Sequence, residues 1–284
     1  MNGISIRDTY QNGKRILSKA GLESPAFDAL CLLDLVFGTG GRSGLAIHGG
    51  EPADPDKYER FNELIIRRTR EPLQYILGKW EFDGMALHVG EGVLIPREDT
   101  LTLVETACEL LKGKTSPRVL DLCAGSGAVG LAIARRIPDA YVLCVEKSPL
   151  AFGFFTRNRK DFGCGRVEGV ICDVLHPPEM DQEFDCIVSN PPYIPTGDIE
   201  GLAWEVQCEP KMALDGGSDG LIFYKAICSQ WTRLLCKDGI VAFEVGYDIR
   251  DGVIETMMQC GIDRIHAAKD INGIDRCIFG TVVS

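Results

Sequence analysis

Apolar residues recur every three or four positions through roughly the first seventy residues and then give way to short runs bounded by glycine. Ser5 can cap a helix whose apolar positions are Ile6, Tyr10 and Leu17 and which ends at Gly21. Ser24-Pro25 gives a second start, with proline at the first helical position, and the run Ala26 to Phe37 is apolar almost all round before Gly38 stops it. Asp54-Pro55 repeats that start signal. Tyr58, Phe61 and Ile65 then share one face of a third helix, and Glu63 and Arg67 form an i,i+4 pair on it. Between the second and third helices Gly38 to Gly50 reads as a glycine-rich loop. Residues 1–78 are thus expected to form a small helical domain.

From Lys79 to Pro96 the pattern becomes alternating and is broken by Gly84, Gly90 and Gly92, which predicts a β-hairpin linker over 79–96. Strand patterns follow at Arg118–Leu122, Tyr141–Val145, Val167–Cys172, Phe184–Ser189, Gly239–Glu244, Asp263–Ala267 and Cys277–Val283, with helical patterns between most of them. Strands alternating with helices predict an α/β domain over 97–284, built on a mostly parallel seven-stranded sheet covered on both faces.

Composition narrows the class. At 284 residues, 45% hydrophobic and 25% charged, the chain has ample material for two domains. No apolar run reaches the roughly 18 residues of a membrane span, and Met1 to Tyr10 holds no apolar signal core, so a cytoplasmic protein without membrane attachment is expected. The 12 cysteines show no short-spaced cluster; the closest pairs, Cys164/Cys172 and Cys228/Cys236, suit small buried hydrophobes better than a metal site or a disulfide framework. The net charge of −11 lies wholly after residue 78, because residues 1–78 carry ten basic and ten acidic side chains. A nucleic-acid grip needs positive charge on its contact face, so no stable nucleic-acid binding is expected.

Two segments carry chemistry. The first expected strand of the α/β domain runs into Asp121-Leu-Cys-Ala-Gly125-Ser-Gly127-Ala-Val-Gly130 before a helix. Glycine is needed where the backbone turns sharply off a strand and where a ligand must touch main chain. Glu146, at the end of the next strand, can accept both ribose hydroxyls of an adenosine. These features indicate an adenosine-containing cofactor and leave NAD and S-adenosylmethionine open. Asp121 is equally suited to bonding loop N–H groups and to meeting the cofactor.

The second segment, Asn190-Pro191-Pro192-Tyr193, ends the fourth strand, which is expected beside the first. An amide or aromatic amine nitrogen is a weak nucleophile, since its lone pair is delocalised. Attack on a methyl-sulfonium carbon is helped by acceptors for its N–H groups as positive charge develops. The Asn190 side-chain carbonyl and the Pro191 backbone carbonyl are such acceptors, the prolines hold that edge extended, and Tyr193 can stack on the planar group. An NAD dehydrogenase has no evident task for this motif.

With Arg70-Glu-Pro-Leu-Gln-Tyr-Ile-Leu-Gly78, Gly92-Val-Leu-Ile-Pro-Arg97, Leu120 to Gly127, Ser189 to Tyr193, Glu209-Pro through Leu221 and Gly273-Ile-Asp-Arg276, the chain resembles, along almost its whole length, the PrmC/HemK family of release-factor glutamine N5-methyltransferases. The resemblance implies a Rossmann-like class I methyltransferase domain. It implies S-adenosylmethionine contacts at Asp121, Cys123, Ala124, Gly125, Ser126, Gly127, Glu146, Asp173, Val174 and Asn190. Asn190, Pro191, Pro192 and Tyr193 would hold the glutamine of a release factor's Gly-Gly-Gln motif, with the helical domain helping to hold the release factor. Departures from the family pattern are Cys123 for a usual glycine, Glu146 for a usual aspartate, Val174 for a frequent aromatic, and Glu98-Asp99 for Pro-Glu.

Rival functions are methylation of a ribosomal-protein glutamine, methylation of an exocyclic amine of adenine or guanine, and a catalytically dead adaptor. A nucleic-acid enzyme would need a basic recognition region. The nearest candidate, Lys57, Arg60, Arg67, Arg68 and Arg70, alternates with Glu59, Glu63 and Glu71 and reads as a solvated helix face.

Overall fold

A computed structural model describes residues 4–162 and 165–282, so Cys164 of the spaced cysteine pair and Val283 of the last strand lie outside the described residues. The chain divides into two compact units, Met1–Gly78 and Lys79–Ser284.

In the first unit, helix α1 (Ile6–Lys19) begins with a capping box: Ser5 Oγ accepts from the Asp8 N–H at 3.1 Å, and the Ser5 N–H donates back to the Asp8 carboxylate at 3.3 Å. Helix α2 (Pro25–Phe37) starts on its proline and stops at Gly38, whose φ of 66° is the left-handed cap. The expected glycine-rich loop is instead helix α3 (Gly41–His48). Two distant facts produce it. Asp34, near the end of α2, accepts N–H bonds from Gly40 and Gly41 at 2.5 and 3.2 Å. A Cβ at Gly44 would stand 1.3 Å from the Thr39 carbonyl oxygen, so only glycine lets the chain turn there.

Helix α4 (Pro55–Arg68) is capped by Asp54 and buries Phe61, Leu64 and Ile65. Helical periodicity carries that face on to Arg68, which departs from the expected solvated stripe: its Nε lies 2.8 Å from Asp28 of α2, and the two side chains are 7% and 4% exposed. The Glu63–Arg67 pair does not form. Arg67 makes a two-pronged contact with Glu71 (3.0 and 2.7 Å), which holds better than a single bond, and Glu63 takes Arg60 at 2.8 Å. Helix α5 (Leu73–Leu77) closes the unit.

The second unit opens with an antiparallel hairpin, β1 (Lys79–Phe82) and β2 (Met85–His88), turned by Asp83-Gly84 with both φ angles positive. There follow α6 (Leu101–Leu110), β3 (Arg118–Leu122), α7 (Ala128–Arg136), β4 (Tyr141–Glu146), α8 (Pro149–Asp161), β5 (Val167–Ile171) and β6 (Phe184–Ser189). Then come the short α9 (Trp204–Gln207) and α10 (Ile222–Ala226), β7 (Leu235–Glu244), α11 (Arg250–Gln259), β8 (Ile262–Lys269) and β9 (Asp275–Val282).

The seven-stranded sheet has the order β5-β4-β3-β6-β7-β9-β8, parallel except for β9, which runs antiparallel to both neighbours. Successive strand residues feed opposite faces. Val119, Val142 and Val188 join Leu103, Val104 and Leu131 on one side, while Leu120, Leu122 and Ile187 join Tyr224, Trp231 and Met257 on the other. Strand order reverses between β3 and β6, and in such sheets the crevice at the carboxyl ends of those two strands is where ligands bind. Among the described residues no single helix is long and apolar enough to cross a membrane.

The buried Asp28–Arg68 pair yields a stability test. Asp28→Ala removes the carboxylate that Arg68 Nε meets at 2.8 Å in the core and is expected to cost about 3–5 kcal/mol. Urea unfolding of the full chain measures it, and adding Arg68→Leu should recover most of the loss.

Candidate active site

At the carboxyl end of β3 the backbone leaves the sheet through Cys123 (φ 62°) and Gly125 (φ 57°) and enters α7 at Gly127 (φ 83°). Cys123 therefore holds the left-handed conformation in which an L side chain is strained. The three glycine N–H groups of the G-x-G-x-x-G spacing all donate internally. Gly125 bonds Glu146 Oε2 at 2.8 Å, Gly127 bonds the Ala124 carbonyl at 2.8 Å, and Gly130 bonds Asp121 Oδ2 at 2.9 Å. Asp121 thus serves the loop, and it also lines the pocket. Burial pushes its carboxyl up to about 7, with the Gly130 bond opposing.

Glu146 ends β4 with its second oxygen accepting the Ser148 N–H at 2.6 Å; burial raises its pKa. The Lys147 N–H also acts on this carboxylate, whose roughly four lone-pair sites leave room for a further donor. Burial would raise Asp173 too, but Lys147 Nζ at 2.8 Å and the Leu175 N–H hold it below the usual carboxylate range. Val174 is buried, its carbonyl fixed by the Trp231 indole N–H at 2.8 Å.

From β6, the Ser189 hydroxyl donates to the Leu122 carbonyl at 2.6 Å, which ties the second segment to the first. Asn190 Nδ2 donates to Thr100 Oγ1 at 3.3 Å. Pro191 and Pro192 are buried. Tyr193 lies over Gly246, where a Cβ would come within 3.0 Å of its ring, and burial pushes its hydroxyl up to about 12.

These pieces border one pocket of about 900 Å³, counting its open mouth, within the range of small-molecule sites. Asp121, Cys123, Ala124, Gly125, Ser126, Glu146, Asp173, Val174, Asn190 and Pro192 line it. Gly127, Pro191 and Tyr193 stand outside that lining. The wall also takes in Leu94, Pro96, Thr100, Pro210, Met212 and Phe223, which the motif reading did not assign. The signal for Leu94, Pro96, Pro210 and Met212 lay in the Leu-Ile-Pro-Arg and Glu-Pro segments, whereas Thr100 and Phe223 fall outside both. The buried Glu209 draws the two segments together, accepting the Ile95 N–H at 2.8 Å and pairing with the Arg97 guanidinium. Among the described residues no group of His, Cys, Asp and Glu is arranged to hold a metal ion.

Known proteins agree with this architecture. Residues 8–78 match the model of the PrmC N-terminal domain, and residues 102–223 match that of the Methyltransferase small domain. The release factor glutamine methyltransferase of Geobacter sulfurreducens is 39% identical over 280 residues, covering 98% of this chain and 97% of its own length. That of Clostridium botulinum is 34% identical over 276 residues, covering 96% and 98%. The hMettl16 catalytic domain, solved in complex with the MAT2A 3′UTR hairpin 6, has a TM-score of 0.58 at 14% identity, covering 75% of this chain and 80% of its own; it shows the fold alone. The fold is that of a Rossmann-like class I methyltransferase, the chain is an enzyme, and it belongs to the release factor glutamine methyltransferase family.

Proposed function

We propose that this methyltransferase uses S-adenosylmethionine to methylate the side-chain amide nitrogen (N5) of the glutamine in the Gly-Gly-Gln motif of peptide chain release factors. The observation that carries the reading is the disposition of Asn190. Its Nδ2 is engaged by Thr100, so its Oδ1 is the atom left to accept a hydrogen bond in the pocket.

The donor set suits this cofactor better than a dinucleotide. A pyrophosphate wants free loop N–H groups, yet those of Gly125, Gly127 and Gly130 are already bonded within the protein. Asp121, Glu146 and Asp173 against the single Lys147 favour a cationic ligand. Glu146 has acceptor capacity for ribose hydroxyls, Cys123 to Gly127 would border the ligand, and Val174 and Phe223 offer apolar walls for a flat base. When bound, S-adenosylmethionine supplies an electrophilic methyl group.

The chain's own residues act on the acceptor. Asn190 Oδ1 and the Pro191 carbonyl accept from the two amide N–H groups, which gain acidity as positive charge develops on nitrogen. Pro191 and Pro192, buried and without N–H groups, hold that edge in place. Tyr193 stacks on the amide plane; with its hydroxyl held neutral it is no base. The amide proton departs after transfer has raised its acidity. The names of the relatives support a release factor as substrate, and the helical domain over residues 1–78 would help to hold it. Work on a component of translation would place the enzyme in the cytoplasm.

Asn190→Ala should fold and bind cofactor yet lose about 10²–10³ in kcat, because one preorganised acceptor for the developing charge is gone. A variant retaining half of wild-type turnover would remove Asn190 from the mechanism. Glu146→Ala should weaken cofactor binding by roughly 1.5–3 kcal/mol in calorimetry, while NAD shows no binding to either protein. With labelled cofactor, incorporation into a release factor should survive nuclease, respond only mildly to salt and vanish when the Gly-Gly-Gln glutamine becomes alanine. Mass spectrometry placing the methyl on a ribosomal protein or a base instead would reassign the substrate.

A further inference from the structure

Helix α8 carries into the core a polar side chain that the proposed chemistry leaves unused. Asn158 is fully buried, so its amide must find its partners there. It finds them on two separate segments. Its Oδ1 accepts the His88 N–H at 2.6 Å, and its Nδ2 donates to the His88 carbonyl at 3.2 Å and to the Ser126 carbonyl at 2.9 Å. His88 ends β2 of the hairpin, whereas Ser126 belongs to the glycine loop and lines the pocket. Asn158 itself stands outside that lining.

The direction of this amide is fixed by its partners. A backbone N–H can only donate, so His88 takes the oxygen and leaves both amide hydrogens to the two carbonyls. The carbonyl of the Ser126–Gly127 peptide is thereby held from the hairpin. The N–H of the same peptide, that of Gly127, donates to the Ala124 carbonyl at 2.8 Å. Both sides of the peptide are tied, one within the loop and one through Asn158.

The loop needs such a tie. Cys123, Gly125 and Gly127 all have positive φ, between 57° and 83°. An L residue in that region persists only where its surroundings over-determine it. Glycine accepts either sign of φ, so Gly127 does not by itself fix the peptide plane before it. Helix α8 supplies the restraint twice. Phe155 packs over Gly127, where a Cβ would come within 2.6 Å of its ring, and Asn158, one turn further along the same face, takes the Ser126 carbonyl. Without Asn158 that carbonyl loses its donor and the plane is free to rotate. We infer that Asn158 is a positioning residue for cofactor binding: anchored on the hairpin at His88, it fixes the plane of the Ser126–Gly127 peptide and with it the loop surface that meets S-adenosylmethionine. This rests on the reading of the pocket given above.

The test compares Asn158→Ala with Asp161→Ala in the full chain. Asp161, a turn beyond Asn158 and 44% exposed, meets the His88 ring at 2.8 Å, so its loss loosens the same helix–hairpin contact without touching Ser126. Calorimetry with S-adenosylmethionine reads the dissociation constant and the stoichiometry separately. Asn158→Ala should bind about tenfold more weakly at unchanged stoichiometry. Its kcat at saturating cofactor and its KM for release factor should stay within about twofold of wild type. Asp161→Ala should keep the wild-type Kd. A merely structural role would lower the stoichiometry or Tm and leave Kd alone. Hydrogen exchange, measured without ligand, should rise about tenfold over residues 123–127 in Asn158→Ala and stay unchanged there in Asp161→Ala. If Asn158→Ala does not fold, Asn158→Asp carries both measurements, since it has the same shape, keeps an acceptor for the His88 N–H and lacks the two donors. An unchanged Kd, unchanged exchange, or an equal loss in Asp161→Ala overturns the inference. A wild type that binds no S-adenosylmethionine refutes the cofactor reading, and exchange in the ligand-free loop still decides this one.

Discussion

Leu122 and Ser189 lie side by side at the carboxyl ends of β3 and β6, joined by the Ser189 hydroxyl on the Leu122 carbonyl. Because the two strands are parallel neighbours, the loops that follow them must leave the sheet at the same edge and height. The glycine loop therefore meets Asn190 without any residue being brought from afar. Glu146 reaches the same edge because β4 is in register with β3, Val145 beside Leu122. A one-residue slip in either pairing would displace the loop from Asn190 and turn the strand's buried side chains to the wrong face.

Around that junction the protein concentrates acids in dry surroundings. Asp121, Glu209 and Glu244 are each under a tenth exposed. Their partners differ, and so do their tasks. Asp121 holds the first turn of α7, Glu209 gathers two pocket segments by way of Ile95 and Arg97, and Glu244 follows the β7 residue that pairs with Ser189. Asp121 and Glu209 have donors arranged for them, as burial of a carboxylate demands, whereas Glu244 Oε2 has none among the described residues.

Much of this was legible in the residues themselves. The strands showed as apolar runs between turn signals, the β3 loop as its glycines, and Asn190 to Tyr193 as an unusual strand end. All of these are local patterns. What escaped depends on contacts between residues far apart in sequence. Helix α3 exists because Asp34 caps it and Gly44 clears Thr39, which a count of glycines cannot reveal. Arg68 looked solvated until Asp28, forty residues earlier, was seen to meet it. Thr100 meets Asn190 from 90 residues before it, and no motif spacing joins the two. Internal satisfaction of the three glycine N–H groups is likewise visible only in three dimensions.

The position of β9 has a consequence for synthesis. It is the last of the seven strands in sequence, yet it lies between β7 and β8, and among the described residues β8 at the sheet's edge has no other strand partner. As the chain leaves the ribosome, β7 and β8 emerge before the strand that joins them, each with a row of backbone groups that nothing yet satisfies. Such rows invite pairing with other chains. In β8, Asp263, Arg264 and Lys269 set exposed charges along the edge that waits, which discourages a neighbouring nascent chain from docking there before residues 275–282 arrive.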